Sequence, residues 1–161
     1  MFGTLGFSYI GFIFLCCLFI PNIFYGLHQP LDNLKIEENK LLLAFERIGQ
    51  VLCTILVIIF DDFNIHQIKF WIVWLGIAFI LMVLYLLCWG RYFLGNHVSR
   101  DFYRPFIGVP LPLAVLPVVA VFLVSIYGKV IWLGIATMIL GIGHIGITAQ
   151  HWIAIKKSVI V

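Results

Sequence analysis

Two groups of residues in this chain have types and spacings that could support chemistry, and both lie within apolar sequence. The stretch LLLAFERIGQVLCT places Glu46, Gln50, Cys53 and Thr54 on one helical face, with Arg47 about a quarter-turn away. Near the C-terminus Gly134, Thr137, Gly141, His144, Thr148 and His151 recur at spacings of three and four, a second helical face of glycine, hydroxyl and imidazole groups. A carboxylate and imidazoles inside apolar segments are the kind of groups found where substrates or protons cross a membrane. A metal site is not expected. His144 and His151 would lie about 10.5 Å apart along a straight helix, too far to share one ion at about 2.0–2.1 Å from each nitrogen. A serine–histidine nucleophile is not expected either, because Ser8 and Ser125 belong to the opposite half of the bundle from the histidines. No cofactor is indicated.

The elements that must position these groups follow from composition. Of 161 residues, 63% are hydrophobic and 11% charged, which excludes a water-soluble globular domain. Apolar runs cover residues 2–27, 41–60, 70–94, 106–127 and 130–152, each long enough to span a bilayer. None has a period of two, and isolated strands cannot satisfy their backbone groups in lipid. The expected fold is therefore all-α: one domain over 1–161, a polytopic membrane protein with a bundle of five transmembrane helices. Pro105, Pro110, Pro112 and Pro117 crowd the first half of the fourth segment, which should be kinked or partly unwound.

Basic residues set the expected orientation. With the N-terminus outside, Lys35, Lys40, Arg91, Arg100, Arg104, Lys156 and Lys157 face the cytoplasm, while only Lys69 and Lys129 face out. The C-terminus is then cytoplasmic. The same loops carry Asp32, Glu37, Glu38 and Asp101, so the net charge of +3 reflects membrane topology and not nucleic-acid binding. Anionic lipid headgroups are the natural partners of the basic side. Cys16, Cys17, Cys53 and Cys88 all fall within spans, contain no CxxC pair and read as packing residues.

Depth then connects the two polar groups. Counting 1.5 Å per residue from the inner boundary puts Glu46 and Gln50 about 8 and 14 Å deep, and Thr148 and His144 about 6 and 12 Å deep. Asn22, beside Pro21, and Arg91 add polarity at the same level. The expectation is a ligand-binding pocket open towards the cytoplasm, formed by Glu46, Gln50, His144, Thr148, Asn22, Arg47 and Arg91, and bordered by Arg100, Asp101 and Arg104. Glu46 with Arg47 could instead fix the depth of the second helix, His144 could serve only as an interhelical hydrogen bond, and His151 is expected to be solvated at the interface. Gly134, Thr137 and Gly141 read as close helix packing.

The segments GFSYIGFIFLCCLFIPNIFYG, LLAFERIGQVL, IIFDDFNI, RDFYRPFIGVPLPLAVLPV and IYGKVIWLGIATMILGIGHIGI together resemble a family of small, uncharacterised bacterial integral membrane proteins. That resemblance implies a multi-pass protein of the bacterial cytoplasmic membrane and carries no activity with it. Within the family pattern a second histidine is expected near His144, where this chain has Thr148. The leading functional expectation is binding or transport of a small or amphipathic molecule. The alternative is a non-catalytic accessory or immunity-type protein that packs against a membrane partner or in a parallel homodimer, and a membrane-embedded enzyme ranks last.

Overall fold

The computed structural model describes residues 3–28, 30, 36–95 and 98–160, with side chains through residue 157. Phe2, Asp32 and Lys35 lie outside the described residues. The fold is all-helical, with no strand among the described residues: α1 (Tyr9–Leu27), α2 (Lys40–Ile59), α3 (Val73–Phe93), the single turn α4 (Ser99–Phe102), α5 (Pro112–Gly128) and α6 (Ile131–Ile160), with 3-10 turns at Asp61–Phe63 and Phe70–Ile72. Four helices are long and apolar enough to cross a membrane, the third counted from Phe70, and α5 is equally apolar but has 17 residues.

Three boundaries differ from the sequence reading, each for a local reason. Residues 3–8 do not extend α1. They run antiparallel to the end of α2, where Gly6 and Ser8 donate to the carbonyls of Ile59 and Ile58 at 2.9 and 2.8 Å. The helix starts at Tyr9 because its first N–H groups find side-chain acceptors: Ser8 Oγ takes Gly11, and the distant Asn64 Oδ1 takes Tyr9 and Ile10. The fourth segment is unwound as far as Leu111. Pro105 and Pro110 supply no N–H, Ile107, Gly108 and Leu111 adopt positive φ, and Phe106 and Val109 pair their backbones in a tight turn. Pro112 then opens α5 at a position where a missing N–H costs nothing. At the C-terminal end, α6 continues past residue 152 to Ile160.

Packing divides the bundle into two pairs. The most extensive interface joins α2 to α6, the next joins α3 to α5, and α5 against α6 links them. Glycines set the first interface. A Cβ on Gly143 would overlap the backbone of Glu46 and the Leu42 carbonyl, and one on Gly49 would overlap the Leu140 backbone. The two helices therefore touch main chain to main chain, as small residues allow in membrane bundles. By contrast α1 touches α2 and α3 only sparingly, although its first turn is pressed on the Val57 carbonyl at Gly11.

Two sets of contacts fasten the ends. At one end Asn64 Nδ2 holds the Phe7 carbonyl and Asp61, and Trp71 Nε1 caps the last carbonyls of α5 at Ile126 and Tyr127. At the other, Phe102 of α4 sits among Tyr25, Trp89, Tyr92 and Tyr103, with ring centroids 4.8–5.9 Å away.

Candidate binding cavity

The close α2–α6 crossing builds the central feature of the site. With Gly143 seated on the backbone of Glu46, the neighbouring His144 brings Nδ1 to 2.6 Å from Glu46 Oε1. Glu46 is largely covered, with 15% of its side chain exposed, and His144 has 32%. A carboxylate at that distance accepts the Nδ1 proton, which leaves Nε2 as the imidazole's other polar atom. One turn further along α6, Thr148 donates its hydroxyl to the His144 carbonyl at 2.7 Å, so its oxygen can still accept.

His144 and Thr148 line a cavity of about 310 Å³ between the two helix pairs, near the lower end of the roughly 300–1,000 Å³ usual for small-molecule sites. All five long helices contribute. Most of the wall is apolar, with Phe14, Leu18, Leu113, Pro117 and Val121 as its main surfaces. Polar atoms gather towards the α4 end. Asn22 Nδ2 donates to the Leu18 carbonyl at 2.7 Å and to the Tyr85 hydroxyl at 2.9 Å. Trp89 is almost fully buried in the wall, with its indole N–H near Tyr85 but not aligned on any acceptor. Gln50 and Thr54 complete the polar lining.

Of the seven residues expected at a pocket, Asn22, Gln50, His144 and Thr148 line this cavity. Glu46 stands behind His144. Arg47 is exposed and does not line it. Arg91 is committed elsewhere: its guanidinium donates to the carbonyls of Arg104 and Pro105 at 2.7 and 3.1 Å and lies over the Phe106 ring, where it holds the unwound segment against α3. Cys53 also belongs to the wall, with its Sγ 3.6 Å from Thr137 Oγ1.

The direction of opening also differs from the sequence expectation. Arg100, Asp101 and Arg104 are not in the lining, and Phe102 with its aromatic neighbours covers the α4 end. The exposed members of the wall are Phe19, Asn22 and Gln50, on the flank between α1 and α2. That flank is loosely packed compared with the α2–α6 and α3–α5 interfaces.

His151 is engaged and not merely solvated. Its Nε2 lies 3.1 Å from Glu38 and its Nδ1 lies 3.4 Å from the Tyr103 hydroxyl. Burial pushes the Tyr103 hydroxyl well above its usual pKa, so it remains a donor at neutral pH. With Tyr103 stacked on Trp152, this contact ties the segment after α4 to α6.

The sequence reading missed Tyr85 and Trp89 as site residues because aromatic side chains in apolar segments carry no positional signal, and Phe102 because it lies in the charged connection between two spans. Gly134 and Gly141, expected as packing glycines, lie closely on Ser125 and Val118 of α5, but the contact with α2 is made by Gly143 and Gly146, which the sequence reading did not single out. The repeated glycines of GIGHIG were the available clue. Among the described residues there is no group of three or more His, Cys, Asp or Glu side chains that could hold a metal ion.

Comparison with protein-family models, with curated proteins and with solved structures finds no match to this chain.

Proposed function

We propose that this chain is a membrane protein that binds or transports a small amphipathic molecule in the cavity between its five long helices. The observation that carries the reading is the cavity itself: a mostly apolar chamber with polar side chains from Asn22, Gln50, His144 and Thr148 towards the α4 end, and Thr54 further along α2. An amphipathic guest needs that division, with its apolar part against Phe14 and Val121 and its polar part near His144.

The membrane setting is part of the same proposal. Lys40, Arg91, Arg100, Arg104, Lys156 and Lys157 lie at the α4 end, against Lys69 and Lys129 at the other, which supports a cytoplasmic α4 end and an N-terminus outside. The bacterial cytoplasmic membrane is the location that the sequence resemblance suggests. In intact cells, a membrane-impermeant maleimide should label Thr4→Cys but not Lys157→Cys, in a background lacking the four native cysteines. Labelling of Lys157→Cys from outside would sink the orientation.

Filling the cavity tests the binding reading. Ala114 lies in the wall and is 1% exposed, so Ala114→Leu places three extra carbon atoms into the cavity. Binding of the neutral fluorescent probe N-phenyl-1-naphthylamine to amphipol-held protein should weaken about tenfold or more, equivalent to about 1.4 kcal/mol. Thermal unfolding of the same sample checks that the variant is folded. Undiminished probe binding by a folded Ala114→Leu protein would remove the cavity as the site.

A further inference from the structure

A stripe of α2 runs from the α4 end of the bundle into the cavity. Lys40, Leu43, Arg47, Gln50 and Thr54 follow one another at spacings of three, four, three and four, so they share one side of the helix. At 3.6 residues per turn, Arg47 stands about 20° around the axis from Thr54 and about 60° from Gln50. Both of those residues line the cavity, and Gln50 belongs to its exposed flank beside α1. Arg47 therefore lies next to that flank, about 4.5 Å along the axis from Gln50. From the α4 end the stripe passes from two cations through a carboxamide and a hydroxyl to the apolar wall.

Arg47 has no counter-charge of its own. Among the described residues it makes no ion pair, and it is exposed about 9 Å along α2 from Leu41, where the sequence places the membrane boundary. An arginine within a span is costly unless it is paired. The carboxylates near it in sequence are directed elsewhere. Glu46 points about 100° away around α2, with its Oε1 2.6 Å from His144 Nδ1, Glu38 lies 3.1 Å from His151, and Glu37 precedes the helix. Whichever partner holds the proton, the Glu46–His144 pair is negative by at most one charge, so with Arg47 the group is never net negative. Snorkelling to the interface would satisfy Arg47 alone. It gives no reason for Gln50 and Thr54 to continue the same polar stripe into the chamber.

Resting on the binding reading above, we infer that the guest is an anionic amphiphile, its carboxylate or phosphate paired with Arg47 at the flank between α1 and α2, Gln50 donating to the same headgroup, and its hydrocarbon tail laid against the apolar wall at Phe14 and Val121. The guanidinium offers the paired N–H donors that such a headgroup accepts. Single-chain acids and anionic phospholipids share this chemistry.

Tryptophan quenching by brominated amphiphiles tests the inference. Protein in phosphatidylcholine nanodiscs is titrated with ω-bromohexanoate, ω-bromohexanol and ω-bromohexyltrimethylammonium at about pH 8, where the acid is ionised. Trp89 belongs to the cavity wall, so the quenching that disappears in Trp89→Phe is assigned to the site. The acid should quench this fraction at about tenfold lower bilayer concentration than the alcohol or the ammonium. Arg47→Gln should abolish that preference and leave quenching by the alcohol unchanged, while Arg47→Lys should keep part of it. Arg47 is exposed, so neither substitution disturbs the helix packing. Equal quenching by all three probes, stronger quenching by the alcohol or the ammonium, or an acid preference that survives Arg47→Gln would overturn the inference and leave a binding cavity in place. No Trp89-dependent quenching by any probe would overturn both. Adding phosphatidylglycerol to the discs separates the two sources of the headgroup: loss of the acid's quenching there identifies the phospholipid as the occupant, and its retention identifies the single-chain acid.

Discussion

Gly143→Ala is expected to destabilise the protein more than any other single-methyl addition on α6, whereas Gly76→Ala should be neutral or stabilising. A Cβ at Gly143 would run into the Glu46 backbone and the Leu42 carbonyl, and neither is the flexible end of a side chain that could swing aside. The helices must separate instead. Overpacking of this kind costs about 1–3 kcal/mol, and more when backbone has to move. At Gly76 no atom lies within 4 Å of the added carbon, so the change removes only unfolded-state freedom, worth about 0.5–1 kcal/mol in a helix interior. Thermal unfolding of the two purified variants in one detergent gives the comparison. Equal midpoints would show that α2 and α6 do not meet backbone to backbone. Separation would also pull His144 from Glu46, so ligand binding by Gly143→Ala should fall together with stability.

The second large effect concerns the pair itself. His144→Ala should destabilise more than Glu46→Gln, because it leaves a mostly covered carboxylate without its donor, whereas glutamine keeps an acceptor oxygen opposite Nδ1. Interhelical hydrogen bonds in membranes contribute about 0.6–2 kcal/mol, and a charge-assisted one belongs at the upper part of that range. In a double-mutant cycle of Glu46→Ala and His144→Ala, the double variant should be less destabilised than the sum of the singles by about 1–2 kcal/mol. Strict additivity would mean that the pair has no energetic coupling, and the fixed imidazole tautomer would lose its basis. The binding reading makes a separate demand: Glu46→Gln should remain folded yet bind the naphthylamine probe more weakly, since a neutral amide holds the His144 ring less firmly.

The helical segments were legible because apolar runs of this length have one solution where every backbone group must be bonded internally. Legibility failed where partners come from far along the chain. The start of α1 depends on Asn64, more than fifty residues away, whose carboxamide oxygen takes the N–H groups of Tyr9 and Ile10. The unwound stretch before α5 was signalled by its prolines, but its extent was set by positive φ at Ile107 and Leu111, and by Arg91 reaching the carbonyls of Arg104 and Pro105. A lone arginine at the end of an apolar segment gives no hint that it will be spent on carbonyls.

The candidate site divides in the same way. Counting depth put Glu46 and His144 in the same half of the membrane, because rise per residue is fixed once a helix direction is chosen. Depth does not specify rotation. Whether two groups at one level meet depends on how closely the helices approach, and that rests on Gly143, Gly146 and Gly49 fitting against Glu46, Leu42 and Leu140. Tyr85 and Trp89 in the wall show the same limit, since an aromatic residue in an apolar helix looks alike whether it faces lipid, a neighbour or a cavity.

By itself, then, the sequence determined the all-helical class, the apolar spans and the level of the polar groups. These follow from local periodicity, backbone hydrogen bonding and a constant rise per residue. Only the tertiary structure decided that Glu46 holds His144, that Arg91 serves the loop and not the pocket, and that the exposed lining lies between α1 and α2. Those outcomes depend on helix rotation and on contacts between residues distant along the chain, and one-dimensional spacing carries neither.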